Sequence, residues 1–492
     1  MKDRPFERAG MALVWKTIQH FGVKLIFLVR LLILARLLSP DDFGLLAIAS
    51  IVIDILTRIT NFGMIPALVQ RVEADDEHYN IAWTIGILRA LVVASVTILA
   101  APIVAQFFAA PRAADIIQWL AFRPLIDAAA SIKVAKLTRN LHFRSLAFIE
   151  LPKALANTLI AIALAPWLGV WALVAGTLAG SIAYLIVSYV LAPYHPRFSV
   201  DFNAAQSLTR YGQWVFFTSL IVMTGQTVLR LVISRQLGAA ELGLYYLAAS
   251  LAFLPSDVAS EVVGEVAFPF YARLQSDIRQ ASLAFRSMLT SVLALLLPTL
   301  SLLIALAPSL VETLLGPRWI GTAPIIQGLA LASIVGLLGE TIAPILNGTG
   351  RPDKILVIEA IQSSLLIAFA WGLASRYGVV GAALAWLPAV AASQLVSVIF
   401  VRQILPQPFA GLGRPMGALI VVSLIAALTA MSIDSMLSGL VGFASSSLLG
   451  IALIGILLWV LERRFTLGLS DGLNQAFPQV ATMMGLSPRQ IA

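Results

Sequence analysis

The sequence has no cysteine among its 492 residues and only four histidines. The absence of cysteine excludes a disulfide framework, a thiolate metal site and a cysteine nucleophile. Three histidines, His78, His142 and His195, lie in predicted loops without metal-ligand spacing, and the fourth, His20, lies in the first apolar segment. Sequence patterns of serine hydrolases, zinc peptidases and P-loop proteins are absent as well. We therefore expect no cofactor, no metal ion and no enzymatic activity.

Charged residues are also scarce, at 12%, whereas 59% of the residues are hydrophobic. The mean hydropathy is +0.92. Apolar segments of roughly 20 residues, the length that crosses a bilayer, recur along nearly the whole chain, and they predict an all-α, multi-pass membrane protein with about 14 transmembrane helices. The predicted spans are 12–35, 44–69, 81–108, 114–134, 146–166, 169–192, 212–235, 243–267, 287–311, 323–346, 355–374, 379–401, 415–436 and 440–461.

Basic residues are distributed unequally between the two sides of this predicted topology. With the N-terminus inside, about 20 lysines and arginines fall in the inside segments and about five in the outside turns. Both termini are therefore expected in the cytoplasm. The net charge of +8 has the same explanation, so nucleic acid is not expected as a partner. Lys16, His20 and Lys24 interrupt the first apolar segment, which indicates a retained span and not a cleaved signal peptide.

An internal repeat relates residues 32–49 to residues 231–248, with Gly44 matching Gly243. A second, weaker pair of segments has a similar offset of about 200 residues, which equals six spans. Because six is even, both copies enter the membrane from the same side and are related by an axis along the membrane normal. We predict six-helix lobes at 1–192 and 193–403, related by a pseudo-two-fold axis, two additional helices within 404–462 and a cytoplasmic tail at 463–492.

The first span carries Lys16, His20, Lys24 and Arg30 among apolar residues. At about 100° per residue, its polar residues share one sector of about 160°. A cation in hydrocarbon costs about 2.5 to 3.5 kcal/mol, so such residues usually face a bundle interior or a water-filled cavity. Lys16 and Arg30 lie near the ends of the span, where long side chains can reach the headgroups, whereas Lys24 lies near its middle. We predict that this basic stripe lines a transport cavity.

Further charged residues lie inside other predicted spans. Arg89 and Arg230 have no acidic residue at helical spacing, and we group them with the basic stripe as candidates for binding an anion. Three pairs have the spacing for mutual neutralisation on one helix: Asp54 with Arg58, Arg123 with Asp127, and Glu150 with Lys153.

The second half of the chain carries acidic residues where the first half carries basic ones. Four of them fall within about two helical turns of predicted cytoplasmic ends: Glu261, Glu265, Glu340 and Glu359. We predict that these carboxylates close a salt-bridge gate or bind a coupling cation or proton. The alternative is that they are interfacial residues beside the headgroups.

Six segments of this sequence resemble one family. They are ARLLSPDDFGLLA (35–47), NFGMIPALVQR (61–71), FNAAQSLTRYGQW (202–214), LGAAELGLYYLA (237–248), FPFYARLQ (268–275) and GPRWIGTAPIIQ (316–327). In this order they are similar to Wzx-type polysaccharide flippases of the multidrug/oligosaccharidyl-lipid/polysaccharide exporter superfamily, and most similar to exporters of colanic-acid-like exopolysaccharide. The segments extend over about two thirds of the chain.

The resemblance implies a carrier in the bacterial inner membrane that moves undecaprenyl-pyrophosphate-linked oligosaccharide repeat units from the inner to the outer leaflet by alternating access. Membrane lipids, a polysaccharide polymerase and export machinery are the implied partners. The basic side chains Lys16, Lys24, Arg30, Arg89 and Arg230, together with His20, are then candidates for binding the pyrophosphate. Two alternatives stay open: a cation-coupled multidrug-type antiporter of the same superfamily, and a membrane glycan polymerase or ligase.

Overall fold

The structure is a computed structural model that describes residues 5–60, 68, 76–140, 142–199, 213–273, 277–437 and 439–465. In these ranges every regular element is helical, which confirms the all-α prediction for the described part of the chain. The chain divides into two compact units, Met1–Gly243 and Leu244–Ala492. The predicted domain boundaries stay predictions, and most of the predicted tail, residues 466–492, lies outside the described residues.

The first unit contains nine complete helices and the first turns of a tenth, among the residues that the structure describes. They are α1 (Pro5–Leu37), α2 (Pro40–Ile59), α3 (Asp76–Phe107), α4 (Ala113–Leu120), α5 (Phe122–Ala129), α6 (Val134–Arg139), α7 (Phe143–Leu168), α8 (Val170–Leu191), α9 (Gln213–Leu237) and α10 (Ala239–Ala252).

The second unit continues with eight helices in its described ranges. They are α11 (Leu254–Arg273), α12 (Ile278–Leu310), α13 (Thr322–Gly336), α14 (Gly339–Gly348), α15 (Pro352–Leu384), α16 (Trp386–Ile404), α17 (Gly413–Met436) and α18 (Gly439–Phe465). A π-helical turn and a 3₁₀ turn, Val311–Leu315 and Pro317–Trp319, connect α12 to α13.

Nine of the described helices are long and apolar enough to cross a membrane, or up to eleven if each of two bent helix pairs forms one span. The bent pairs are α10 with the start of α11, at 45°, and α13 with α14, at 43°. The chain is thus a multi-pass membrane protein, as the apolar segments predict. The number of about 14 spans and the symmetry of two lobes stay predictions.

In the structure the fourth predicted span, 114–134, is not a single continuous helix. It consists of the two short helices α4 and α5, which meet at Ala121, and its last residues form a turn before α6. Pro124 lies in the first turn of α5 and has no backbone N–H, so the hydrogen bond that would join it to the last turn of α4 is missing. The proline therefore explains the break.

Helices α7 and α8 pack closely in the first unit because Gly176 and Gly180 lie between them. A Cβ at Gly176 would come within 2.6 Å of the Asn157 carbonyl oxygen, and one at Gly180 within 3.0 Å of the Asn157 Cβ. The GxxxG spacing predicts this close approach. On its other side α7 packs against α1, where a Cβ at Gly22 would lie 3.0 Å from Leu151.

The turn between α1 and α2 begins the first copy of the repeat. Ser39 caps α2, since its backbone N–H donates to Asp42 Oδ2 at 3.0 Å and its hydroxyl accepts from the Asp42 N–H at 3.3 Å. Pro40 occupies the first turn of α2, where its missing N–H costs nothing. This capping box fixes where the second helix starts.

The two glycines matched by the repeat make a reciprocal contact. A Cβ on Gly44 would overlap the carbonyl group of Ala239, and a Cβ on Gly243 would overlap the carbonyl group of Pro40. Ala239 is the repeat counterpart of Pro40, so each glycine faces the start of the other copy's helix. Such an exchange of partners is what a local two-fold axis produces.

The second unit is built around α12, which packs against α11, α13, α14, α17 and α18. Phe285 of α12 and Tyr271 of α11 are fully buried in its apolar core. Trp386 at the start of α16 donates from Nε1 to the Tyr245 hydroxyl on α10 at 3.0 Å. Gly378 has a φ of +62° and turns the chain within α15, close to where the sequence predicts the end of one span and the start of the next.

Candidate substrate-binding site

The basic stripe of α1 lies opposite to that helix's exposed apolar side chains. Lys16, His20, Lys24 and Arg30 are half-buried. On a helix with about 100° per residue, Leu34 shares their face, and this leucine is fully buried. The opposite face carries side chains that are 44–59% exposed: Ile18, Phe21, Leu25 and Val29. The stripe therefore belongs to the protein-facing side of α1 and not to its lipid-facing side.

The depth of the stripe follows from the helix rise of about 1.5 Å per residue. Counted back from Leu37, Arg30 lies about 10 Å and Lys24 about 20 Å along the helix, within a hydrocarbon core of about 30 Å. Lys16 lies about 31 Å back, at the boundary, where its Nζ is 5.1 Å from the centroid of the Phe143 ring. Lys24 and Arg30 are thus the two cations of the stripe at hydrocarbon depth.

A second group of charged side chains gathers around Asp54 of α2, and we call it the arginine cluster. The Asp54 carboxylate interacts electrostatically with Arg230 of α9, with Arg123 of α5 and, more weakly, with Arg58 of its own helix. Arg123 Nε also lies 3.6 Å from Asp127 Oδ2. The cluster has three guanidinium groups and two carboxylates, so it keeps a net positive charge.

The arginine cluster is accessible within the first unit, because Asp54 and Arg58 are exposed side chains. Asp54 lies about 21 Å along α2 from Pro40, within the second predicted span, 44–69. Exposed charges inside a membrane span almost always face water inside a protein and not lipid. The cluster therefore has the position and the charge to bind an anionic group.

Several further polar side chains lie beside this cluster, on α7 and α8. Lys153 Nζ is 3.9 Å from Glu150 Oε2 and 4.5 Å from the centroid of the Tyr184 ring. The Tyr184 hydroxyl interacts electrostatically with Glu150 and with Asp127 of the arginine cluster. Charged and polar side chains thus continue from α9 through α2, α5 and α8 to α7.

Sequence spacing predicts the charge pairs of the first unit only in part. Arg123 with Asp127 and Glu150 with Lys153 form as predicted. Asp54 interacts electrostatically with Arg58 and also with Arg230 and Arg123, which lie on other helices. Helical periodicity reveals neighbours on one helix, but it carries no signal for a partner about 180 residues away in sequence. Sequence spacing alone therefore does not predict the arginine cluster.

The two remaining candidates for anion binding occupy different surroundings. Arg230 belongs to the arginine cluster. Arg89 lies at the edge of the exposed face of α3, between the exposed Leu88 and Val92 on one side and the buried Val93 on the other. The Arg89 Nε is buried, and it donates no hydrogen bond to any of the described residues. The binding roles of Arg89 and Arg230 stay predictions.

The acidic candidates of the second unit are found on three helices. Glu340 of α14 accepts a hydrogen bond from the Ser260 hydroxyl of α11 and interacts electrostatically with Asp257. Glu359 is half-buried on α15, and Glu261 is exposed on α11. Glu265 also lies on α11, but its side chain is outside the described residues. A proton or cation at Glu340 would relieve its repulsion with Asp257; the gate and coupling roles stay predictions.

Within the described residues, no group of three or more histidine, aspartate or glutamate side chains is arranged to hold a metal ion.

Half-buried and exposed charges on a multi-pass helical scaffold are typical of membrane proteins that enclose polar side chains or a water-filled cavity. Residues 33–324 match the family model described as "Polysaccharide biosynthesis protein". The chain belongs to this polysaccharide biosynthesis protein family.

Three curated relatives match similar shares of this chain. The chain is 26% identical to the succinoglycan biosynthesis transport protein ExoT of Rhizobium meliloti (strain 1021), over 72% of this chain and 73% of ExoT. It is 23% identical to the lipopolysaccharide biosynthesis protein WzxC of Escherichia coli (strain K12), over 72% of each chain. It is 24% identical to the teichuronic acid biosynthesis protein TuaB of Bacillus subtilis (strain 168), over 73% of this chain and 77% of TuaB.

Two solved structures share the fold. The lipid II flippase MurJ in an inward closed conformation superposes with a TM-score of 0.78, at 15% identity, over 92% of this chain and 100% of MurJ. An inward-facing multidrug resistance transporter of the MATE family superposes with a TM-score of 0.62, at 15% identity, over 80% of this chain and 97% of the transporter. At this identity the likeness shows the fold alone.

Proposed function

We propose that this protein is a flippase that moves oligosaccharide repeat units linked to undecaprenyl pyrophosphate from the inner to the outer leaflet of the bacterial inner membrane. The repeat units serve the synthesis of an exopolysaccharide or a related surface polysaccharide. The proposal includes alternating access of two six-helix lobes, about 14 spans and cytoplasmic termini. A polysaccharide polymerase and export machinery would take up the flipped units.

One observation carries the proposal: the basic stripe of α1 has Lys24 and Arg30 at hydrocarbon depth on the face opposite to the exposed apolar side chains. A pyrophosphate must lose much of its water to cross a bilayer, and charge-assisted hydrogen bonds from cations offset that loss. The arginine cluster adds three guanidinium groups in the same unit, and guanidinium binds phosphate oxygens in pairs. Membership in the polysaccharide biosynthesis family supports a glycan as the attached group.

A multidrug-type antiporter that carries organic cations would need a different charge pattern at its binding site. An organic cation needs acidic side chains at the binding site, whereas the charges at hydrocarbon depth in the first unit have a basic excess. A glycan polymerase or ligase would need a catalytic group, and the relatives named above are known as transport or biosynthesis proteins. We therefore favour a carrier of an anionic lipid over both alternatives.

We also propose that the acidic residues of the second unit act in the transport cycle, as a gate or as groups that bind a coupling proton or cation. Glu340 is the first candidate because a serine hydroxyl and a second carboxylate, Ser260 and Asp257, lie next to it. Glu359, Glu261 and Glu265 are the further candidates.

The direct test is to delete the gene and analyse the lipid-linked glycans of the inner membrane. The proposal expects a complete undecaprenyl-pyrophosphate-linked repeat unit to accumulate in the inner leaflet, together with loss of the surface polysaccharide. Re-expression of the wild-type chain should clear the accumulated lipid. If no lipid-linked glycan accumulates in the deletion strain, the chain is not its flippase.

A further inference from the structure

A short irregular segment follows the last helix of each predicted six-helix lobe. We call these segments the first strap, residues 192–199, and the second strap, residues 405–412. The first strap follows α8 and the second follows α16. A proline stands two residues after the last residue of each helix, at Pro193 and at Pro406. Because proline cannot continue a helix, it explains why each helix ends there.

Hydrogen bonds hold the first strap on the beginning of α3. The Tyr194 hydroxyl donates to Asn80 Oδ1 at 2.6 Å, and the Arg197 N–H donates to the same oxygen at 3.3 Å. The Ser199 N–H donates to Thr84 Oγ1 at 3.1 Å. Asn80 and Thr84 are neighbours on the surface of one helix, so the strap runs along a single face of α3.

Two further contacts complete the attachment of the first strap. The Trp83 ring of α3 packs against the Phe198 ring in an edge-to-face arrangement, with the centroids 5.3 Å apart. At the other end of the strap, the hydroxyl of Ser131, which follows α5, donates to the Ala192 carbonyl oxygen at 2.6 Å. The first strap therefore joins the end of α8 to the beginning of α3 and to the end of α5.

The second strap is attached to α12 in a corresponding way. The Phe409 ring packs against the Phe285 ring of α12, again edge-to-face, with the centroids 5.9 Å apart. The Arg286 guanidinium donates from Nη2 to the Gln407 carbonyl oxygen at 2.6 Å. The two ends of the strap are buried in the apolar core around α12, through Leu405 and Leu412. Each strap is thus held by an aromatic pair and by hydrogen bonds.

The partners of the two straps occupy matching positions. Trp83 lies seven residues after Asp76, the first described residue of α3, and Phe285 lies seven residues after Ile278, the first residue of α12. Both helices correspond to the third predicted span of their lobe. The two aromatic partners are about 200 residues apart, which is the offset of the internal repeat.

We propose that the two straps are copies of one structural element, a clamp that holds the end of each six-helix lobe on the third helix of that lobe throughout the transport cycle. The first strap fixes the connection toward the second lobe to α3. The second strap fixes the connection toward α17 to α12, against which α17 also packs. Each lobe then moves as one body that includes its strap. The role in transport rests on the proposed function, whereas the two attachments do not.

A disulfide between the first strap and α3 tests whether the strap stays attached during transport, and the absence of natural cysteine makes this test possible. The distance of 3.1 Å between the Ser199 nitrogen and Thr84 Oγ1 limits the separation of the two Cα atoms to about 7 Å, within reach of a disulfide.

Cells that express the double variant Thr84→Cys/Ser199→Cys are treated with a membrane-permeant oxidant. The disulfide is measured by mass spectrometry of the linked peptides, and newly exported glycan is measured in the same cells. We expect the disulfide to form in most of the molecules and export to stay within about twofold of the two single-cysteine variants treated alike. The wild-type chain, which has no cysteine, controls for other effects of the oxidant.

The second strap is tested by Arg286→Gln, which removes the donor to the Gln407 carbonyl oxygen. The matched control is Arg279→Gln, since Arg279 is exposed in the first turn of the same helix. Because a hydrogen bond from a charged donor is lost, purified Arg286→Gln should unfold about 2 to 4 °C below Arg279→Gln in detergent. If Arg286→Gln does not fold, Phe409→Leu replaces it, with a shift in the same direction expected from the loss of the aromatic pair.

Three results would overturn the proposal. The first is a failure of the disulfide to form, which means that the first strap does not lie on α3. The second is a disulfide that stops export until a reductant restores it, which means that the strap has to detach during transport. The third is an equal unfolding temperature of Arg286→Gln and Arg279→Gln. If the wild-type chain itself exports no glycan in the deletion strain, the proposed function fails, and the disulfide and the unfolding temperatures still decide whether the two attachments exist.

Discussion

The reciprocal glycine contact gives a sharp prediction for a single added methyl group. In Gly44→Ala, the new Cβ would overlap the carbonyl carbon and oxygen of Ala239, both of which belong to the backbone. A flexible side chain could move aside, but a backbone carbonyl moves only with its helix. The substitution therefore forces the start of α2 away from the start of α10.

The expected magnitude combines two opposing effects. Replacing a helical glycine by alanine stabilises the helix by up to about 1 kcal/mol, because the unfolded chain loses conformational freedom. Overpacking in a close contact typically costs about 1 to 3 kcal/mol, and a clash with backbone belongs at the upper end. We expect a net loss of about 2 kcal/mol, from the upper overpacking value less the helix gain.

Thermal unfolding of the purified protein in detergent measures this loss, with Gly86→Ala as the matched control. Gly86 is also inside a helix, and a Cβ there would meet nothing within 4 Å. Gly243→Ala should behave like Gly44→Ala, because its Cβ would overlap the Pro40 carbonyl group. If Gly44→Ala unfolds at the same temperature as Gly86→Ala or above it, the contact does not exist as described.

Three further predictions concern single side chains. Lys24→Ala at an unchanged protein level should abolish export of the glycan; full export would show that the stripe does not bind the pyrophosphate. Glu340→Gln should reduce export while leaving the protein folded, and unimpaired export in it and in Glu359→Gln would remove the gate and coupling roles. Burial raises the pKa of Tyr194 to about 12, so between about pH 10 and 12 the free energy of unfolding should fall more in the wild type than in Tyr194→Phe, as alkaline titration of unfolding can check.

The sign of the Tyr194 effect follows from its surroundings. Its hydroxyl donates to Asn80 Oδ1 at 2.6 Å and its side chain is buried, so the folded protein holds this proton more tightly than the unfolded chain does. Below about pH 10 both states are protonated and stability is unaffected; above it, only the unfolded state loses the proton readily. The Tyr194→Phe variant should also lose about 1 kcal/mol at neutral pH, where the hydrogen bond is missing.

Sequence periodicity predicts which face of a helix is polar, and α1 shows how far that information reaches. The sector of Lys16, His20, Lys24 and Arg30 is opposite to the exposed stripe in the structure, as its spacing requires. The helical wheel also places Leu25 on the lipid-facing side, although Leu25 is next to Lys24 in the sequence. A helical wheel needs only the rise and rotation of one helix, and both are nearly constant.

Contacts between helices could not be predicted in the same way. Nothing in the local pattern around Asp54 points to Arg230, because their proximity depends on how α2 and α9 pack. Similarly, Lys133 forms an ion pair with Asp76 at 2.9 Å across more than 50 residues of sequence. The reciprocal contact of Gly44 and Gly243 is an intermediate case, since the repeat matches the two glycines but does not say that they meet.

The central claim is that the basic stripe of α1 faces an aqueous cavity, and the absence of cysteine makes it directly measurable. Single cysteines are introduced as Lys24→Cys and, on the adjacent lipid-facing position, as Leu25→Cys, and treated with a charged, water-soluble thiol reagent in native membranes. The account predicts rapid labelling of Lys24→Cys, slowed by the lipid-linked substrate, and little labelling of Leu25→Cys. Labelling of Leu25→Cys with an unreactive Lys24→Cys would contradict it.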